Sequence, residues 1–185
     1  MPHTKDKRER LIEAAKVLIH QQGFKQTTLA DIAREAEVPL GNVYYYFKTK
    51  DDIAAAVIDA HSAEFQVRAQ GWDGTDDPRQ RLLAFLDLPS DQREAVVSHG
   101  CPVGSLCQEL NKERTALADK ADALIQSQVK WSTEQFRLMN RPDAPALGQQ
   151  FIATLQGITL LAQAMHDEDV LRQQIERLKD WLRAL

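Results

Sequence analysis

Residues 41–50 read GNVYYYFKTK and concentrate phenol hydroxyls and ammonium groups on Tyr44, Tyr45, Tyr46, Lys48 and Lys50. A phenol can donate a hydrogen bond while its ring packs on an apolar surface, and lysine adds positive charge. Together they suit a phosphate-bearing polyanion. On a helix, successive side chains point about 100° apart, so three adjacent tyrosines cannot all face one core. Aromatics also favour strands, but this run does not alternate, and it follows Pro39-Leu40-Gly41, a better opening for a short helix. Two other groupings could carry chemistry: His99 with Cys101 as base and thiol nucleophile, and His166-Asp167 as metal contacts. Side chains two apart on a helix diverge, no third residue orients the histidine, and metal-ligand spacing is missing. A helical thiol enzyme is therefore the weaker reading, and no catalytic residue, metal or cofactor is expected.

The 185 residues are 43% hydrophobic, enough to bury a sizeable core in one large domain or two small ones. No apolar stretch follows a basic leader and no apolar run approaches 18 residues, so a cytoplasmic protein without a membrane partner is expected. Two cysteines, Cys101 and Cys107, are too few for a disulfide framework. The formal net charge of −4 argues against a generally basic, nucleic-acid-coating protein, but its distribution is uneven. Residues 1–50 hold nine Lys/Arg against six Asp/Glu, and residues 51–185 hold fourteen against twenty-one. A basic N-terminal module on an acidic body is expected.

The elements that must position the tyrosines read as helices. Leu11, Ala14, Ala15, Leu18 and Ile19 define one from about Thr4 to Gln22, stopped by Gly23. Thr28, three residues before Asp31, forms a capping-box-like start for a short helix carrying Leu29, Ile32, Ala33 and Ala36. Pro39 opens a second short helix holding the tyrosines, and Thr49 with Asp52 starts a long one ending near Gly71. GWDGTDDP, residues 71–78, reads as a linker. Further helices follow from Asp77-Pro78, interrupted at Pro89-Ser90, then around Val103–Leu110 and Leu117–Met139. Nothing reads as sheet, and an all-α chain of about nine helices is expected.

The last two helices, about 146–166 and 168–184, carry narrow heptad-like seams: Leu147, Phe151, Leu155, Ile158, Ala162 and Met165, then Leu171, Ile175, Leu178, Leu182 and Leu185. Two copies related by a two-fold axis would make a four-helix bundle, and Gly157 would permit close approach. Packing of this hairpin on its own domain is the alternative, and a homodimer interface is the favoured reading.

In a helix-turn-helix the second helix enters the DNA major groove while the first crosses the backbone. On that reading Tyr44, Tyr46, Lys48 and Lys50 hold phosphates, Leu40, Gly41, Asn42 and Tyr45 lie near base edges, and Val43 and Phe47 face the core. Residues 8–53 resemble the DNA-binding domain of the tetracycline-repressor (TetR) family of bacterial regulators, and the resemblance implies that Thr28 is a further phosphate contact. The matching pieces are Gly23-Phe24, Thr27-Thr28, LADIAREAEV and PLGNVYYYFKTKDDI. The resemblance implies a two-domain helical homodimer, with DNA binding in residues 1–50 and a ligand-binding and dimerisation domain in 51–185, joined by a helix over 51–70. It also implies repression relieved by a small-molecule effector. Two residues depart from the family pattern. Glu37 stands where glycine is frequent, at a cost of about 1 kcal/mol in a left-handed turn, and Pro39 replaces a serine cap.

GCPVGSLCQEL, residues 100–110, resembles a GC-x-x-G-x-L-x-x-E-L segment in a subgroup of the family. Some members with a cysteine near this position respond to electrophiles, so a Cys101-based sensor is an alternative; ordinary packing is the stronger reading for Cys101 and Cys107. Candidate effector contacts are Phe65, Phe85, Cys101, Leu106, Trp131, Phe136 and Phe151, with His61, Gln128 and Gln135 as polar anchors.

Overall fold

The structure, a computed structural model, describes residues 6–113 and 115–185. Eleven helical segments occupy them: α1 Lys7–Gln22, α2 Leu29–Glu35, α3 Leu40–Tyr46, α4 Lys50–Trp72, α5 Pro78–Phe85, α6 Leu88–Asp91, α7 Arg93–His99, α8 Pro102–Leu110, α9 Ala116–Leu138, α10 Ala144–Met165 and α11 Glu168–Ala184. No strand occurs among the described residues. The chain is all-α, as expected. The short turn α6, with Pro89 in its first residues, subdivides the stretch where Pro89-Ser90 signals an interruption. Thr4, the expected start of the first helix, lies outside the described residues.

Local chemistry sets most boundaries. Gly23 ends α1 with a φ of 85°, and Gly100 ends α7 at 79°. Thr28 and Asp31 form a reciprocal capping box at α2. Thr49 and Asp52 do the same at α4: the Thr49 N–H donates to Asp52 Oδ2 at 2.9 Å, and the Asp52 N–H donates to Thr49 Oγ1 at 3.1 Å. Asp77 accepts the Arg79 N–H, with Pro78 as the first residue of α5.

Packing divides the chain into two compact units. One comprises the chain to Glu64 with Ser105–Asp122, and the other comprises Phe65–Gly104 with Ala123–Leu185. This division falls elsewhere than the 50/51 boundary read from composition, because Ile53, Ala54, Val57 and Ile58 of α4 are buried in the first unit with Leu11, Ala15, Ile32 and Val43. The second unit has its own core, built on Leu82, Leu86, Phe136, Phe151, Leu171, Ile175 and Leu182.

That core corrects the expected dimer seam. Leu147, Phe151, Leu155, Ile158 and Ala162, and likewise Leu171, Ile175, Leu178 and Leu182, are buried within the chain itself; of the seam residues on α10, Met165 alone is exposed. α10 packs on α11 and on α7, so the heptad stripe closes an intrachain contact. The face of α10 left outside carries Ala153, Gly157, Leu160, Leu161, Ala164 and Met165, and a Cβ added at Gly157 would meet nothing within 4 Å.

α1 and α4 are joined by a charged pair within the first unit. Glu64 accepts from Lys16, and His61 Nδ1 lies 3.6 Å from its carboxylate. The neighbouring His61 imidazole, followed by the hydrogen bond from Lys16, holds the Glu64 carboxyl at about 2 against an ordinary 4.5, although burial pulls it upward. A depressed carboxyl contributes stability above its unfolded value and loses it as pH falls through its folded one. Glu64→Gln is therefore expected to lower the urea midpoint at neutral pH and to flatten its decline between pH 4.5 and about 2. Parallel declines for both proteins would refute this.

Candidate functional site

α2 and α3 are seven residues each; a capping box holds the start of α2, and both helices have residues buried in the core. Thr28 Oγ1 accepts the Asp31 N–H at 3.1 Å, and the Thr28 hydroxyl and N–H both donate to Asp31 Oδ2, at 2.6 and 3.2 Å. These bonds hold the Asp31 carboxyl below the ordinary carboxylate range. Ala36, Glu37 and Val38 make the turn. Glu37 adopts a φ of 51°, the left-handed conformation expected of it. Arg10 of α1 donates to the carbonyls of Ala36 and Glu37, which closes the open end of α2. Composition did not single out Arg10; its effect depends on where the turn carbonyls point.

Pro39 precedes α3 with a φ of −54° and gives no side-chain cap; the Asn42 N–H bonds to its carbonyl at 2.8 Å. Val43 and Phe47 are buried, as the sequence suggests. With those two residues fixed inward, helix geometry turns Leu40 and Tyr44, then Gly41 and Tyr45, outward. Leu40 is 42% exposed, Tyr44 48% and Tyr45 75%, while Asn42 and Tyr46 are half-buried. The Tyr45 and Tyr46 rings meet edge to face at 5.0 Å. A Cβ added at Gly41 would meet nothing within 4 Å, so the chain's own packing does not require glycine there. The lysines are engaged. Lys48 Nζ donates to the Tyr44 carbonyl at 2.7 Å, while Lys50 Nζ bonds the carbonyls of Phe24 and Lys25 and lies 4.5 Å above the Phe24 ring.

In the second unit Phe65, Phe85, Trp131 and Phe151 form one aromatic cluster, with Phe136 beside Phe151 at 6.1 Å. Trp72, which the sequence reading passed over, joins it 5.2 Å from Trp131 and 5.4 Å from Phe85. Its place at the end of α4, beside the linker, concealed it. The Trp131 Nε1–H is buried without a hydrogen-bond partner among the described residues. Gln135 is buried and accepts from Arg81 Nη1 at 3.2 Å; Arg81 also donates to the Thr75 carbonyl. The Gln128 carbonyl accepts from Ser132. His61 and Leu106 belong to the first unit.

Cys101 Sγ accepts the Gly104 N–H at 3.4 Å and the Gln156 amide at 3.5 Å, while the buried Cys107 thiol donates to the Ala121 carbonyl at 3.1 Å. Among the described residues no group of three or more His, Cys, Asp or Glu could hold a metal ion, and no helix is long and apolar enough to cross a membrane.

Residues 11–57 match the family described as bacterial regulatory proteins, tetR family. Over 179 residues the chain is 30% identical to an uncharacterised HTH-type transcriptional regulator in the lacX 3′ region of Lactococcus lactis, covering 93% of this chain and 91% of that one. It is 31% identical over 120 residues to the HTH-type transcriptional repressor NemR of Escherichia coli K12, spanning 63% of this chain and 59% of NemR. Among solved structures, a TetR regulatory protein from Rhodobacter sphaeroides superposes with a TM-score of 0.82 at 23% identity, covering 94% of this chain and 97% of that one. The reduced form of E. coli NemR superposes at 0.80 and 22% identity, covering 95% and 96%.

The left-handed turn yields a direct test. Glu37→Gly relieves a side-chain clash that exceeds glycine's extra unfolded-state entropy, so the variant is expected to be more stable by roughly 0.5–1 kcal/mol. Chemical denaturation of the two proteins measures it; an unchanged or lower midpoint would contradict the strain.

Proposed function

The chain belongs to the TetR family of bacterial regulatory proteins, DNA-binding transcriptional regulators of helix-turn-helix type, and from that premise we propose that it represses transcription by binding a palindromic operator as a homodimer and is released by a small molecule. The supporting observation is the exposed face of α3. Leu40, Gly41, Tyr44 and Tyr45 stand out from a helix whose Val43 anchors it to the core, and Gly41 leaves room that only an outside surface would use. Leu40, Gly41, Asn42 and Tyr45 would approach base edges. Thr28, Tyr44, Tyr46, Lys48 and Lys50 would meet phosphates, Lys50 from a position where its ammonium also holds backbone. DNA binding is assigned to residues 1–50, and effector binding and dimerisation to 51–185.

The partner of α10 is proposed to be a second copy of this chain, through the stripe of Gly157, Leu160, Leu161 and Met165 that replaces the buried seam. Small residues there allow two helices to approach closely, and the exposed leucines gain from being covered. The effector is proposed to bind at the aromatic cluster. A molecule with a flat apolar body and one hydrogen-bond acceptor would pack on Trp72 and Phe85 and receive the Trp131 Nε1–H. α4 runs from the recognition unit into the cluster, so a tilt of this helix would carry the signal.

Selection of sheared genomic DNA by the purified protein at about 0.15 M salt, where nonspecific binding is weak, is expected to enrich a short palindrome. Tyr44→Ala and Tyr45→Ala, both at exposed positions, should leave the fold intact and weaken binding to that fragment by about 1–3 kcal/mol. Retention without sequence preference, or binding unaffected by either change, would remove the operator reading. Light scattering at micromolar concentration should report a dimer of the 20.9 kDa chain, with Leu160→Glu,Leu161→Glu shifting it to monomer; a wild-type monomer would refute the α10 interface.

A further inference from the structure

Two side chains from distant parts of the sequence hold the loop between α1 and α2. Glu109, near the end of α8, accepts the Phe24 N–H on Oε2 and the Lys25 N–H on Oε1, both at 2.7 Å. Lys50, the first residue of α4, donates from Nζ to the carbonyls of the same two residues at 3.0 and 3.1 Å. All four backbone polar groups of Phe24 and Lys25 thus engage a charged partner, and charge-assisted bonds are the stronger kind. Gly23 makes this possible. Its φ of 85° turns the chain out of α1, and an added Cβ would sit 3.0 Å from Glu109 Oε2. Beyond the clamp, Thr27 is fully buried and donates to the Gly23 carbonyl at 2.8 Å, which leads the chain directly into Thr28, the cap of α2.

Lys25 also pairs with Glu113 at 2.7 Å, but both side chains are more than half exposed, and such pairs contribute little. Glu109 differs because it binds backbone. It is also the glutamate of the GC-x-x-G-x-L-x-x-E-L stretch, for which the DNA contacts give no use.

We infer that Glu109 is a positioning residue for DNA binding: its carboxylate holds the α1–α2 loop, and with it Thr28 and Lys50, in the geometry that meets phosphates, so that α8 sets DNA affinity through this contact. The inference rests on the reading of α2 and α3 as the DNA interface. Simple electrostatics predicts the opposite sign, since deleting a carboxylate beside a polyanion strengthens binding. The direction of the effect therefore separates positioning from charge.

The experiment uses the full chain and the operator fragment enriched from genomic DNA, with Glu109→Ala, Glu109→Gln and Glu113→Ala. Glu109→Ala is expected to weaken binding about tenfold or more, because two hydrogen bonds to a charged acceptor disappear. It should also reduce the slope of log affinity against log salt by about one, through the lost phosphate contact. In the free protein, amide hydrogen exchange at Phe24 and Lys25 should quicken while exchange in the α1 interior is unchanged. Glu109→Gln, which keeps one acceptor, should fall between, and Glu113→Ala should bind as well as the wild type or better. Glu109→Ala binding as tightly as Glu113→Ala, or weakening with unchanged exchange at Phe24 and Lys25, would overturn the inference. Failure of the wild type to retain any fragment would overturn the DNA-binding reading and the affinity claim with it, while the exchange rates would still decide whether Glu109 holds the loop.

Discussion

Burial of α2 against α1, and of α3 against α2, is what allows these two helices to exist, because a helix of seven residues has too few internal hydrogen bonds to offset the cost of nucleating it. Ile32, Ala33, Val38, Val43 and Phe47 supply that burial, and they use almost every inward position the two helices have. The outward positions are thereby free of structural duty. Tyr44 and Tyr45 can face solvent because Val43 and Phe47 already anchor the element that carries them. The tyrosine run and the small core are two consequences of one geometry.

Short helices also place unusual weight on their ends. With so few intrahelical bonds, the unsatisfied groups at the termini are a large fraction of the total. The structure meets them with the local capping box of Thr28 and Asp31 at the start of α2 and with side chains from elsewhere in sequence: Arg10 on the carbonyls at its end, and Lys50 and Glu109 on the loop before it. Several of these groups are charged and come from α1, α4 and α8. Positions expected to serve phosphate alone also organise backbone, so the charge of Lys50 cannot be assigned to DNA without regard to the loop beneath it.

Much of this was legible in the sequence where the signal is local. Capping boxes at Thr28-Asp31 and Thr49-Asp52, the stop at Gly23 and the left-handed Glu37 each follow from residues a few positions apart. Arg10, Glu109 and Trp72 were not legible as partners, since their contacts lie 26, 85 and 59 residues away in sequence and a single chain carries no record of which residue a charge or ring will meet. The α10 and α11 seams mark a third kind of limit. A heptad stripe reports that a helix packs against another helix, without saying whether that helix belongs to the same chain; burial of Leu155 and Ile175 answers that question, and Leu160 and Leu161 then become the surface that lacks a partner.

α4 contributes side chains to both compact units. Its 23 residues make a rod about 34 Å long at the α-helical rise. Ile53, Ala54, Val57 and Ile58 are buried in the first unit, whereas Phe65 and Trp72 belong to the aromatic cluster of the second unit. A helix serving a single core keeps one apolar stripe along its length. α4 instead changes the type of its apolar residues midway, from buried aliphatic and small side chains to the half-buried aromatics Phe65 and Trp72, with Glu64 in its charged pair at the crossover. At its first residue, Lys50 holds the loop that leads into the cap of α2.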